Sequence, residues 1–293
     1  MRSDGWHLTE DLDRFLARAG DFLRSRPVPH TTVLTATEAL RTRGPGAHGA
    51  GAPLLGHLER SGEVRAVLCR RPPGPLNLTP LTPEEADALA ARLAALGHTV
   101  PGVRAEHGTA TAFADAWRRH TGATPSPRGE RTRLYRLGTP VPPDPPPAGR
   151  GRTADARDHG QLMLWCREFA AAVGETFPAD ARSWPETPFA TRDFTFWETP
   201  DGTPAAMAGV TPMVAGQVRV APVYTPPHLR GRGYAGAVTV EVCRAALAAG
   251  AMDVVLFADV TNPTSNALYR RIGFLPVTEF TAYDLGHAAP RTA

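Results

Sequence analysis

The sequence predicts two α/β domains in tandem, and three features of its 293 residues predict it. Helical and strand patterns alternate in a similar order in each half. A dense run of prolines divides the halves near residue 140. In the second half a strand leads through a glycine-rich turn into a helix, an arrangement of α/β folds that bind anions.

The first half opens with Leu8, Leu12, Phe15, Leu16, Ala19 and Leu23 at helical spacing, which predicts an amphipathic helix. A second helix is predicted over Thr32–Arg43, and a loop over Gly44–Pro53. Leu54–Glu59, Val64–Arg70 and Leu76–Leu81 read as short strands, the first two joined at Ser61-Gly62. Thr82-Pro83-Glu84-Glu85 supplies an N-cap, a proline at the first helical position and acids in the first turn. That helix runs to Leu96 and stops at Gly97; another covers Thr109–His120, and a strand covers Arg131–Leu137.

Residues 138–152 carry prolines at 140, 142, 143, 145, 146 and 147 and read as a semi-rigid linker between a domain at 1–137 and one at 153–293. In the second domain the pattern gives a helix over Asp158–Val173, with Trp165 on its apolar face, and a short helix near Ala181–Arg192. Strands follow at Phe194–Glu198, Ala205–Met213 and Val218–Thr225, then a helix over Tyr234–Ala249. Asp253–Asp259 is a near-continuous apolar run, so a buried strand. Thr264–Ile272 is a short helix closed by Gly273, and Phe274–Leu285 a last strand.

Composition narrows the function classes. Net charge is +3 and the pI about 9.0, but all 32 basic residues are Arg, which never deprotonates, so a small excess lifts the pI sharply. The stretch Arg128–Arg136 is broken by Glu130 and apolar residues, so nucleic-acid binding is not expected. Cys69, Cys166 and Cys243 stand far apart, at neither metal nor redox spacing, which fits buried thiols in a reducing cytoplasm and no bound metal. No apolar run reaches the ~18 residues of a membrane helix, and the first residues do not resemble a signal peptide. The expectation is a cytoplasmic monomer or homodimer.

The chemistry concentrates in Val220-Ala-Pro-Val-Tyr-Thr-Pro-Pro-His-Leu-Arg-Gly-Arg-Gly-Tyr-Ala-Gly236. A helix N-terminus offers free N–H donors and the positive end of its dipole. Gly231 and Gly233 let backbone approach an anion, and Arg230 and Arg232 add charge, so physics predicts a phosphate or pyrophosphate site.

Arg230-Gly231-Arg232-Gly233-Tyr234-Ala235 resembles the Gln/Arg-x-x-Gly-x-Gly/Ala signature of the GCN5-related N-acetyltransferases, the GNAT family. Downstream, Asn262-Pro-Thr-Ser-Asn-Ala-Leu-Tyr-Arg-Arg-Ile-Gly-Phe274 resembles the family's second motif. The resemblance covers about Thr153–Leu285 and implies a mixed central sheet flanked by helices. It implies acetyl-CoA as cosubstrate, with its pyrophosphate on Arg230–Ala235. The pantetheine arm would lie along Val223, Tyr224 and Thr225, with Asn262 and Asn266 lining the cleft. Tyr269 would protonate the leaving thiolate, and the acceptor would be a primary amine of a small molecule or peptide. The chain looks like the tandem two-domain actinobacterial type, whose first copy is degenerate. Here Glu84 and Glu85 stand where a phosphate turn would be, so the first domain is not expected to bind the coenzyme.

Other readings stay open on the sequence. Asn262 also suits a helix cap, and Tyr269 a core aromatic against Phe274. Glu168, Glu175, Glu198 and Asp259 are candidate bases by position only, and Tyr224 faces the acceptor side. A non-catalytic coenzyme-binding module would keep the same motifs. Gly231 to Gly236 also matches GxGxxG of dinucleotide-binding oxidoreductases, with Asp253 as the ribose acid.

Overall fold

The computed structural model describes residues 4–44, 51–129, 131–174, 184, 187 and 189–286. They fall into two compact units, Met1–Arg133 with Thr278–Ala293, and Leu134–Val277.

The first unit begins with β1 (Gly5–Thr9), α1 (Leu12–Ser25), α2 (Thr31–Arg43) and β2 (Leu54–Arg60). Leu8, which fits the helical spacing, lies instead on β1, opposite Gly56 of β2. Asp11 sets the true helix start by accepting a bond from the Arg14 amide at 3.0 Å. β3 (Glu63–Arg70) returns antiparallel to β2 through Ser61 and Gly62, both at positive φ. β4 (Leu76–Leu78) stops short of the predicted Leu81, since Pro80 has no amide to donate and Thr82 already caps α3 (Pro83–Ala95). β5 (Gly102–Glu106), α4 (His107–Thr121) and the two-residue β6 (Ser126–Pro127) complete the unit. The sequence pattern missed β5, whose five residues lie parallel to β4 and bury only Val103 and Ala105 as apolar side chains. Leu68, Leu76, Leu89, Leu93 and Phe113 fill the core, each contributing about 1.5–3 kcal/mol by burial.

The second unit holds β7 (Thr132–Leu137), β8 (Arg150–Thr153), α5 (His159–Ala172), β9 (Asp193–Glu198), β10 (Pro204–Val210), β11 (Gln217–Tyr224), α6 (Tyr234–Ala248), β12 (Asp253–Asp259) and α7 (Pro263–Arg271). The last strand, β13 (Phe274–Asp284), passes into the first unit from Thr278 onward. The strand order is β7-β12-β11-β10-β9-β8, with β11 and β12 parallel and β8 to β11 antiparallel in sequence. Two apolar clusters flank this mixed sheet. One joins Val218 and Val220 to Val238 and Cys243 of α6; the other joins Tyr224 and Phe196 to Trp165 and Cys166 of α5. Half of the predicted helix at Ala181–Arg192 and part of the predicted loop at 44–53 lie outside the described residues, and the described residues 189–191 form a turn.

The proline-rich segment is tied to the second unit along its length. Gly138 and Val141 donate backbone bonds to the carbonyls of Gly273 and Ile272, at 2.9 and 3.0 Å. The Trp197 indole donates to the Ala148 carbonyl at 3.1 Å. Pro143 and Pro147 lie over the first turn of α6, the former 3.1 Å from where a Cβ on Gly236 would stand. β8, inside the expected linker, then pairs with β9. With its donors removed by proline, this stretch binds through the few amides it keeps.

Candidate functional site

β11 carries the site because it is irregular. Met207 and Ala208 of β10 face Tyr224 and Val223, whereas Val210 faces Val220, so β11 holds one residue more than its partner. Such a bulge tolerates Pro222, which has no amide for a ladder, and it re-aims the side chains beyond it. Val220 and Tyr224 would share a face in a regular strand. Across the bulge Val223 packs on the α6 side and Tyr224 on the α5 side.

β11 also parts from β12. Their parallel ladder joins Gln217–Arg219 to Asp253–Val255, and among the described residues no further register links them. Val220–Tyr224 and Leu256–Asp259 thus form the two sides of an opening. At its edge the Thr225 hydroxyl oxygen is buried with no protein partner, the kind of group that a ligand satisfies.

The chain leaves β11 through a 3-10 turn, Pro227–Leu229, and reaches Gly231 and Gly233 at φ +78 and +82. Only glycine adopts this left-handed pair without strain. Gly233 is the N-cap of α6 and offers no side chain to close it. The first helical bond runs from Ala237 N to Gly233 O at 3.0 Å, leaving the amides of Tyr234, Ala235 and Gly236 without a helical acceptor. Space is open around Gly231. Arg232 is exposed, with a long bond to the His228 carbonyl at 3.4 Å. Arg230 turns back instead, its Nε donating to the Thr225 carbonyl at 3.0 Å.

α7 brings in the second motif. Asn262 caps it, accepting from the Ser265 amide at 3.0 Å. Asn266 is buried and bonded within the protein. Its Nδ2 donates to the carbonyls of Asp259 and Asn262 at 2.6 and 2.7 Å, and its Oδ1 accepts from the Tyr135 hydroxyl at 2.7 Å. Asn266 therefore holds α7 to the end of β12, a role its sequence position did not disclose. Tyr269 lies between Tyr135 and Phe274, with ring centroids 6.3 and 5.9 Å away. Burial, with a smaller contribution from Cys243, pushes its phenol up to about 12.

The remaining candidates divide by their partners. Glu198 is buried and bonded to Arg152, which also grips Asp158 through two bonds of 2.8 Å. Asp259 accepts from the amide and hydroxyl of Thr261, each at 2.8 Å. His228 is exposed, and Glu175 lies outside the described residues. Tyr224, which the sequence placed along the cofactor arm, is itself buried beside Glu168 and Arg230. Its phenol is raised by burial and by Glu168, against the lowering effect of Arg230. All three cysteines are free and buried, and burial holds each thiol near 12. Among the described residues no cluster of His, Cys, Asp or Glu is arranged to hold a metal, and no helix is long and apolar enough to cross a membrane. A concavity of about 410 Å³ lies in the first unit, walled by Pro83, His107, Thr111, Asp115 and Arg119, and shares no residue with either motif.

A mixed sheet that opens between two parallel strands, next to an uncapped glycine turn, defines the class of α/β domain to which the second unit's architecture conforms. The antiparallel pairing of β10 with β11 excludes the doubly wound parallel sheet of the oxidoreductase alternative, and Asp253 begins its strand, bonded to Arg136. Residues 162–274, which lie within the second unit, match the acetyltransferase (GNAT) family. A GCN5-related N-acetyltransferase from Sphaerobacter thermophilus shares the fold at TM-score 0.58 and 17% identity, covering 99% of this chain and 98% of that one. One from Kribbella flavida gives 0.52 at 20%, covering 87% and 95%. A tandem GNAT protein of the clavulanic acid biosynthesis pathway gives 0.56 at 14%, covering 97% and 100%. A search among curated proteins found no match.

Proposed function

We propose that the chain is an N-acetyltransferase that moves an acetyl group from acetyl-CoA to a primary amine of a small molecule or peptide. One observation carries this: the bare start of α6 stands beside the opening between β11 and β12. The residues present suit the coenzyme. The amides of Gly233–Gly236, with Arg232, would take the pyrophosphate. The backbone of Val223–Thr225 and the partnerless Thr225 hydroxyl would take the arm. Bound there, acetyl-CoA supplies an activated thioester carbonyl.

The chain's own groups do the rest. A backbone amide of Val223–Thr225 polarises the carbonyl oxygen. Tyr269 keeps its proton at every working pH, because its phenol is held near 12. Donation from that level to an ordinary thiolate near 8.5 is uphill by roughly 5 kcal/mol. The transfer therefore has to accompany cleavage of the C–S bond. Tyr234 and Ala235 serve through their amides, and Asn262 shapes the α7 end of the opening. In the first unit the start of α3 is closed by its own side chains, so we assign coenzyme binding to the second unit alone.

Isothermal calorimetry with acetyl-CoA tests the reading, followed by mass spectrometry of an amine incubated with enzyme and coenzyme. One bound equivalent and a mass gain of one acetyl group are expected. Absence of coenzyme binding would overturn it.

A further inference from the structure

α7 is short, and among the described residues it buries two side chains, Asn266 and Tyr269. They stand three residues apart, hence on one helical face. Tyr135 of β7 meets both. It is wholly buried, in the cluster that holds Tyr269 and Phe274. Its hydroxyl donates to Asn266 Oδ1 at 2.7 Å, and its ring lies 6.3 Å from that of Tyr269 at a tilt of 51°. The bond completes the Asn266 amide, whose Nδ2 already donates to the carbonyls of Asp259 and Asn262 at 2.6 and 2.7 Å. Those carbonyls mark the end of β12 and the cap of α7, so one side chain sets where the helix leaves the strand. A reversed amide would set its oxygen against both carbonyls, and Tyr135 satisfies the one orientation that remains. β7 lies beside β12 in the sheet and precedes the prolines, far in sequence from either motif.

Resting on the transferase reading above, we infer that Tyr135 is a positioning residue for the reaction: through Asn266 and by ring contact it fixes α7 so that the Tyr269 phenol is aimed at the leaving sulfur. Tyr269 gives its proton to sulfur as the C–S bond breaks and sulfur keeps the bonding pair, and water then reprotonates the phenol oxygen. Among the described residues no hydrogen bond holds the Tyr269 hydroxyl, so its aim comes from the helix and from the rings of Tyr135 and Phe274. A proton transfer tied to bond cleavage tolerates little misplacement, and an ångström of error costs on the order of 100-fold in rate.

Tyr135→Phe keeps the ring and removes only the hydroxyl. The test compares wild type, Tyr135→Phe, Tyr269→Phe and the double variant by thiol release from acetyl-CoA with hydroxylamine in excess, by calorimetry of acetyl-CoA binding and by amide hydrogen exchange. Tyr135→Phe should lower kcat about tenfold, with KM and calorimetric affinity for acetyl-CoA unchanged. The amides of α7 should exchange about tenfold faster and those of α6 as before. In the Tyr269→Phe background the same change should cost nothing further, because Tyr135 acts through Tyr269. Asn266→Ala cuts the same bond from its other end and has to show the same non-additivity, which serves where Tyr135→Phe folds poorly. A folded Tyr135→Phe enzyme of wild-type rate would overturn the inference and leave the transferase standing. So would an equal loss in both backgrounds, the mark of packing alone. A Tyr269→Phe enzyme of wild-type rate would remove the proton donor and the inference with it, and protein that binds no acetyl-CoA would remove the transferase reading itself.

Discussion

α3 and α6 each start a few residues beyond a strand, and their first turns hold opposite chemistry. Thr82 closes α3 with a capping box. Its hydroxyl accepts from the Glu85 amide at 3.2 Å, and the Glu85 carboxylate accepts from the Thr82 amide at 3.0 Å. Glu84 adds a second negative charge, its carboxyl held below the usual range by its own backbone amide and the Thr82 hydroxyl. α6 has glycine where α3 has threonine, arginines before it, and no acid in its first turn. The donors of one helix are spent on its own chain, and those of the other are kept for something else. The backbone differs with the side chains: Thr82 is extended, as a hydroxyl cap requires, whereas Gly233 is left-handed.

Substitutions at the two caps test the contrast, and the largest effect should come from α6. Gly233→Phe places a side chain at φ +82 on the turn. It should weaken acetyl-CoA binding by roughly 100-fold or more, the loss of two charge-assisted bonds of about 1.5–3 kcal/mol each. Calorimetry reads this, and retained affinity would erase the distinction between the caps.

Tyr269→Phe should lower kcat by about 100-fold with the KM for acetyl-CoA unchanged. A general acid loses activity as pH rises through its pKa. With that pKa pushed up to about 12, steady-state kinetics of the wild type should show no alkaline fall near 10, where an ordinary tyrosine titrates.

Arg232→Ala should cost about tenfold in coenzyme affinity at low ionic strength and less as salt is added, because an exposed charge is screened. The smallest effect belongs to α3. Thr82→Ala should lower stability by about 1 kcal/mol in urea denaturation and leave acetyl-CoA affinity where it was. A loss of binding there would mean that the first unit takes part.

Both caps were readable in the sequence, because a cap is local: four or five consecutive residues decide it. The glycine turn, Asn262 at the start of α7 and the strand Asp253–Asp259 were legible for the same reason. What escaped depends on distant partners. Leu8 suits a helix by spacing but is claimed by β2 through backbone pairing. Asn266 looks like a ligand contact until Tyr135, 131 residues earlier, takes its carbonyl oxygen. The bulge that turns Tyr224 to the α5 side shows only in the register against β10. Pro222 was its one sequence signal, since an interior strand rarely accommodates a residue without an amide.

The prolines at 143 and 147 lie against the helix start they precede by some ninety residues, and their neighbours are stitched to Ile272, Gly273 and Trp197. Trimming the chain back to Thr153 would therefore do more than sever a tether. It would strip β7 from its place beside β12 and unroof the opening turn of α6. A fragment meant to keep the second unit whole has to begin by Leu134, ahead of the prolines.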